Sequence, residues 1–124
     1  MNVIDSSGWL EYFANADNAN FFAPAIRDEE NLLVPSVCLY EVFKRICQQQ
    51  GKQAALEGIS RLYRGTIINL NDELALQAAQ LSLTHNLPMA DSIILATARA
   101  QNATLWTQDE HFKNIEGVKY IEKK

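Results

Sequence analysis

Five short, largely apolar runs punctuate longer stretches of helical spacing, and this alternation limits what the chain can fold into more than any other feature. The runs are Asn2-Val3-Ile4, Leu32-Leu33-Val34, Thr66-Ile67-Ile68, Thr104-Leu105-Trp106 and Val118-Lys119-Tyr120-Ile121. Their length and their β-branched or aromatic content favour strands. Between them, Trp9, Leu10, Tyr12 and Phe13 supply apolar positions at helical spacing, and a later helix carries Leu74, Leu76, Ala78 and Leu81. Apolar strands alternating with helices predict a mostly parallel central sheet covered on both faces and joined by right-handed crossovers. The expected fold class is α/β, in three α/β/α layers.

Local signals place the helices between those strands. The first follows Asp5. A second covers Ala16 to Glu30 and is broken or begun around Pro24. Pro35 cannot donate to a ladder and tends to stop its strand, so Ser36 is expected to cap a third helix that runs to about Gln50, before Gly51. A fourth lies near Gln53 to Leu62. Asn71 caps a fifth that His85-Asn86-Leu87-Pro88 ends, and a sixth spans Ala90 to Gln101, with Asn102 at its end. With 124 residues, 48% of them hydrophobic, and no repeat or low-complexity segment, residues 1–124 are expected to form one domain.

Composition excludes several function classes. Charged residues make up 21%, which is not a disordered composition, and no apolar run approaches the roughly 18 residues of a membrane helix. The start carries no positive region and no sustained apolar stretch, so the expected address is the cytoplasm. Cys38 and Cys47, if on one helix, are separated by about 13.5 Å, beyond the roughly 7 Å a disulfide spans. Two cysteines and two distant histidines, His85 and His111, cannot assemble a zinc site of the usual spacing. The net charge of −4 argues against a broad basic surface for nucleic acid. Local phosphate contacts stay open, with Lys44, Arg45 and Arg64 as candidates.

Four acids stand at the predicted ends of these elements. Asp5 ends the first strand, Glu41 interrupts the run around Val37-Cys38-Leu39-Tyr40, Asp91 opens the last long helix, and Asp109 follows the strand through Trp106. In an open parallel sheet the ligand site lies off the carboxyl ends of the strands, where such residues gather. On its helix Glu41 is expected opposite Leu39, Phe43 and Ile46. Carboxylates brought within a few ångströms raise one another's pKa unless a cation sits among them. A hard ion, Mg²⁺ or Mn²⁺, would suit this oxygen-rich set and bridge to a phosphate. One such ion would lower the pKa of a water and a second would stabilise a leaving oxygen, so hydrolytic phosphoryl transfer is the expected chemistry. Each acid also has a structural explanation: Asp5 and Asp109 as caps, Asp91 at a helix dipole, Glu41 paired with Arg45 at i,i+4. Four coincidences are less economical than one site.

Val3-Ile4-Asp5-Ser6-Ser7, Val34-Pro35-Ser36 with Tyr40-Glu41-Val42, Ala90-Asp91-Ser92-Ile93-Ile94-Leu95-Ala96, and Leu105-Trp106-Thr107-Gln108-Asp109-Glu110-His111-Phe112, in that order and spacing, resemble the PIN-domain endoribonucleases, in the style of bacterial VapC-type toxins. The resemblance covers almost the whole chain and is weak between Lys52 and Asn69. It implies an acidic site of Asp5, Glu41, Asp91 and Asp109, with Asp5, Asp91 and Asp109 holding metal and Ser6, Ser7 and Thr107 supporting by hydrogen bonds. It further implies an RNA substrate, a homodimer, and a cognate antitoxin that wraps the toxin and brings a basic side chain to the carboxylates. Two departures stand out: Ser92 where alanine is common, and Glu110-His111 where another acid is often found before the phenylalanine.

Trp9, Tyr12, Phe13, Phe21 and Phe22, at helical spacing, are core or interface residues, with dimer or antitoxin contact favoured over an RNA-stacking platform and Phe21, Phe22 and Ile26 as candidate core contacts. His111 could reach the site as a proton donor or supporting group, but a lone histidine in a polar turn is more often only exposed, and it is left out of the catalytic set. The main rival function is a catalytically silent PIN-like module that binds RNA or protein. A metal-dependent phosphatase is weaker, because Ser7 stands where an aspartyl-phosphate mechanism commonly has a second Asp.

Overall fold

The computed structural model describes residues 1–124. Its five strands, β1 (Asn2–Ile4), β2 (Leu32–Pro35), β3 (Thr66–Ile68), β4 (Thr104–Thr107) and β5 (Val118–Tyr120), form one all-parallel sheet in the order β3-β2-β1-β4-β5. The helices α1 (Ser6–Phe13), α2 (Ala19–Arg27), α3 (Ser36–Gln50), α4 (Lys52–Leu62), α5 (Asp72–His85) and α6 (Met89–Ala100) flank it. The α/β expectation holds.

Strand order explains where a site can form. The chain lays down β1, β2 and β3 toward one edge, then returns to add β4 and β5 on the other side of β1. The direction reverses between β1 and β4, and the helices leaving their carboxyl ends splay to open a crevice. Register is fixed there by Val3 beside Leu33 on one side and Leu105 on the other. Val3, Ile4, Leu32, Leu33, Val34 and Leu105 are all buried, as continuous apolar strands covered on both faces must be.

Of the two places open to the aromatic residues, core and interface, the structure puts them in the core. Trp9 and Phe22 are fully buried, and Tyr12, Phe13 and Phe21 pack half-buried against the same cluster. Gly8 permits this packing: a Cβ there would lie 2.7 Å from both Ile4 Cγ2 and Phe22 Cε1. On α5 the buried residues are Leu74 and Ala78, whereas Leu76, on the same helix but about 200° round it, is 72% exposed.

Three local expectations are corrected. Pro24 sits inside an unbroken α2, because Pro24 and Asn20 both face solvent and the carbonyl it strands can meet water. β2 does end at Pro35, but Ser36 is the first residue of α3 and makes no capping bond. The buried stripe of α3 is Cys38, Val42 and Ile46, with Leu39 and Phe43 half-buried, so Glu41 flanks the stripe and does not oppose it. Elsewhere the punctuation follows side-chain chemistry. Asn71 caps α5 by accepting from the Leu74 N–H at 2.9 Å. Asn86 and Asn102, both at positive φ, follow the ends of α5 and α6, in a conformation asparagine tolerates.

Candidate functional site

Asp5 leaves β1 at its carboxyl end and starts α1. Its Oδ1 accepts from the Gly8 backbone N–H at 3.1 Å and from the Ser7 hydroxyl at 2.7 Å, and its Oδ2 accepts from the Thr107 hydroxyl at 2.9 Å. The residue is therefore the cap of α1 and, at the same time, a carboxylate gripped from both α1 and β4. Burial pushes its carboxyl up to about 7, against the pull of these donors, and the negative charge of Asp109 adds to the rise.

The other acids arrive from separate elements. Asp91, in the first turn of α6, has its carboxyl raised first by burial and then by Asp109, with Glu41 adding to the effect. Asp109, two residues past β4, donates its backbone N–H to the Thr107 hydroxyl at 2.9 Å and accepts from the His111 N–H at 2.9 Å. Glu41 accepts from the Ser6 hydroxyl at 2.7 Å. Asp5, Glu41, Asp91 and Asp109 all line one cleft of about 290 Å³, floored by Leu10 and Ile94. The repulsions among them mark a cluster whose full ionisation needs positive charge from outside.

A family model for the PIN domain matches residues 3–118. This chain belongs to the PIN domain family. Among solved structures, its fold is similar to a toxin-antitoxin complex from Klebsiella pneumoniae, with TM-score 0.80 and 22% identity over 96% of each chain. VapC20 of Mycobacterium tuberculosis, described as a Sarcin-Ricin loop cleaving toxin, has TM-score 0.76 and 15% identity, covering 94% of this chain and 95% of that one. VapBC2 from Rickettsia felis, bound to a promoter DNA fragment, has TM-score 0.73 and 18% identity over 98% and 97%. No curated protein sequence matches.

Within this PIN domain the residues expected to support the acids do make the bonds: Ser7 and Thr107 to Asp5, Ser6 to Glu41. Glu41 does not pair with Arg45, which instead lines the cleft. Lys44 lies over the Tyr40 ring, 5.5 Å from its centroid, and Arg64 is 3.7 Å from Glu29, so both are engaged by their own neighbours. Cys38 is buried and Cys47 partly so, and both are free thiols.

His111, left out of the catalytic set, is exposed as expected and yet reaches the site. It is more than an exposed turn residue: Nδ1 lies 2.9 Å from Asp91 Oδ2 and 3.2 Å from Asp109 Oδ1. The hydrogen bond with Asp91, and then the charge of Asp109, raise its pKa. The available signal was the departure itself, a histidine two residues after an acid of the cluster. Gln108 was also overlooked. It is buried, donates to Glu11 Oε1 at 3.1 Å and accepts from Asn18 Nδ2 at 2.9 Å, tying the loop that carries Asp109 to α1 and to the start of α2.

The donor set fits a hard divalent ion. Ligand atoms from Asp91, Asp109 and His111 lie within 4.8 Å of one another, beside the buried carboxylate of Asp5. No helix is long and apolar enough to cross a membrane.

Proposed function

We propose that this PIN domain, taken as one unit over residues 1–124, is a Mg²⁺- or Mn²⁺-dependent endoribonuclease and the toxin of a toxin-antitoxin pair. The observation that carries this reading is the convergence of four carboxylates from β1, α3, α6 and the β4 exit on one small cleft, with Asp5 so buried that its carboxyl rises to about 7. Such a cluster is costly unless a cation occupies it. Asp5, Asp91 and Asp109 would hold the ion, and Glu41 would complete the negative field and orient a water. A bound hard cation supplies an activated water and charge neutralisation at the scissile phosphate. Ser7 and Thr107 fix the two oxygens of Asp5, and Ser6 fixes Glu41. Arg45, at the cleft wall, is available to a neighbouring phosphate of the RNA.

Toxin-antitoxin complexes recur among proteins of this fold, which supports a cytoplasmic protein with a cognate antitoxin; a basic side chain of that partner would complement the acidic cleft. A homodimer is part of the same reading, supported by apolar side chains left exposed on α5, Leu76 and Leu83, seven residues apart on one face.

One observation favours a second reading, a catalytically silent module that binds RNA or protein. His111 already supplies the acids with a bonding partner, as a site without a metal would need. Incubating the purified protein with total bacterial RNA and Mg²⁺ or Mn²⁺, with EDTA and Asp91→Asn as controls, separates the two. Discrete fragments that need both the ion and the acid support the nuclease; intact RNA under every metal condition, once any bound partner is stripped, favours the silent module.

A further inference from the structure

The position of His111 is fixed more firmly than its exposure suggests. Phe112 beside it is fully buried, and the turn Glu110–Phe112 is closed by the His111 N–H to Asp109 Oδ1 bond. The backbone is thus held from the core side, and the imidazole is set with Nδ1 facing two carboxylates that come from different elements, 2.9 Å from Asp91 and 3.2 Å from Asp109.

Without an ion Nδ1 carries a proton toward the two carboxylates, and the same distances suit three ligands that share an ion in its place. Two donors at right angles on an octahedral cation, each bonded at about 2.1 Å, sit about 3.0 Å apart. A neutral imidazole is acceptor at one nitrogen and donor at the other, so Nδ1 can turn its lone pair to an ion while Nε2 keeps its hydrogen. The ring is half exposed, and solvent can satisfy that hydrogen. Carboxylates alone suit Mg²⁺, whereas an imidazole shifts a site toward the transition metals; a mixed set of this kind suits Mn²⁺.

We propose that His111 Nδ1 is a direct ligand of the ion that Asp91 and Asp109 bind, and that this nitrogen gives the site a preference for Mn²⁺ over Mg²⁺. The inference rests on the metal-dependent reading above and adds to it a ligand outside the acids.

Electron spin-echo spectroscopy of Mn²⁺ added to the full-length protein tests it without any substrate. Nitrogen coupling to bound Mn²⁺ is expected in the parent and in His85→Ala, and is expected to vanish in His111→Ala and His111→Gln. Calorimetry with each ion should show Mn²⁺ affinity falling by about tenfold or more in the His111 variants, with a smaller loss for Mg²⁺. Absence of nitrogen coupling in the parent, its persistence in His111→Ala, or equal losses for both ions would overturn the proposal. Metal-dependent cleavage without nitrogen coupling would sink this inference alone. A nitrogen-coupled ion in a protein that cleaves no RNA would sink the nuclease reading and leave His111 as a ligand.

Discussion

The Thr107 hydroxyl donates to Asp5 Oδ2 at 2.9 Å, and its oxygen accepts the Asp109 backbone N–H at the same distance. One side chain at the end of β4 therefore positions both an acid of β1 and the loop carrying another acid. Thr107→Val keeps the shape but removes both bonds and leaves a buried carboxylate oxygen and an amide unpaired. Unfolding in urea should show a loss of about 1–3 kcal/mol, and metal-dependent cleavage should fall in parallel. Thr107→Ser should restore most of each; a fully stable, active Thr107→Val would show that this bridge does not matter.

The burial of Asp5 makes a prediction about pH. Its carboxyl is raised from 3.8 to about 7, so folding favours the neutral form. The stability associated with that form is complete below pH about 4 and is lost as pH rises through about 7, when the metal-free protein must ionise a buried group. In EDTA, Asp5→Asn should melt several degrees above the parent at pH about 8, with the advantage shrinking as pH falls toward about 4. Mn²⁺ should raise the parent's melting temperature at pH about 8 and do little for the variant. A melting difference between the two that does not change with pH would contradict the assigned burial cost.

Gly8 offers a test of the packing that places Asp5. A Cβ would meet Ile4 and Phe22 at 2.7 Å, and both are fully buried side chains with nowhere to turn. Gly8→Ala should cost about 1–3 kcal/mol by overpacking, and because the Gly8 N–H also bonds Asp5, metal affinity should drop with it. Denaturation midpoints and calorimetry would read the two effects separately; an unchanged midpoint would mean that α1 can move away freely.

Ser6 is expected to act only through Glu41, to which it donates at 2.7 Å. Ser6→Ala should lower the melting temperature by only about 4 °C, since a half-buried hydrogen bond contributes about 1 kcal/mol, while slowing cleavage severalfold at saturating metal. Equal activity in Ser6→Ala would remove Glu41's orientation from the account.

The strands and most helix limits could be read from the chain because burial on both faces writes an uninterrupted apolar run into each central strand, and asparagines mark the ends of α5 and α6. The place of Asp5, Asp91 and Asp109 was also legible, since each stands at an element end where a parallel sheet directs its loops, whereas Glu41 reaches the same cleft from inside α3. What escaped were features set by tertiary contacts. Leu76 is two positions from both Leu74 and Ala78 and so lies on the opposite side of α5, exposed, while those two pack against α6. Pro24 reads as a helix breaker until the solvent exposure of Asn20 is known. His111 reads as turn polarity because nothing in its neighbours announces that Asp91, 20 positions earlier in the chain, will lie at its Nδ1.

The central claim is that these acids are brought together to hold a divalent cation. Anomalous diffraction from crystals soaked in Mn²⁺ tests it most directly. A strong peak within bonding distance of Asp91 and Asp109, and reached by Asp5 directly or through a water, is the predicted result; a cleft empty of anomalous density at saturating Mn²⁺, with the four carboxylates still converged, would contradict it.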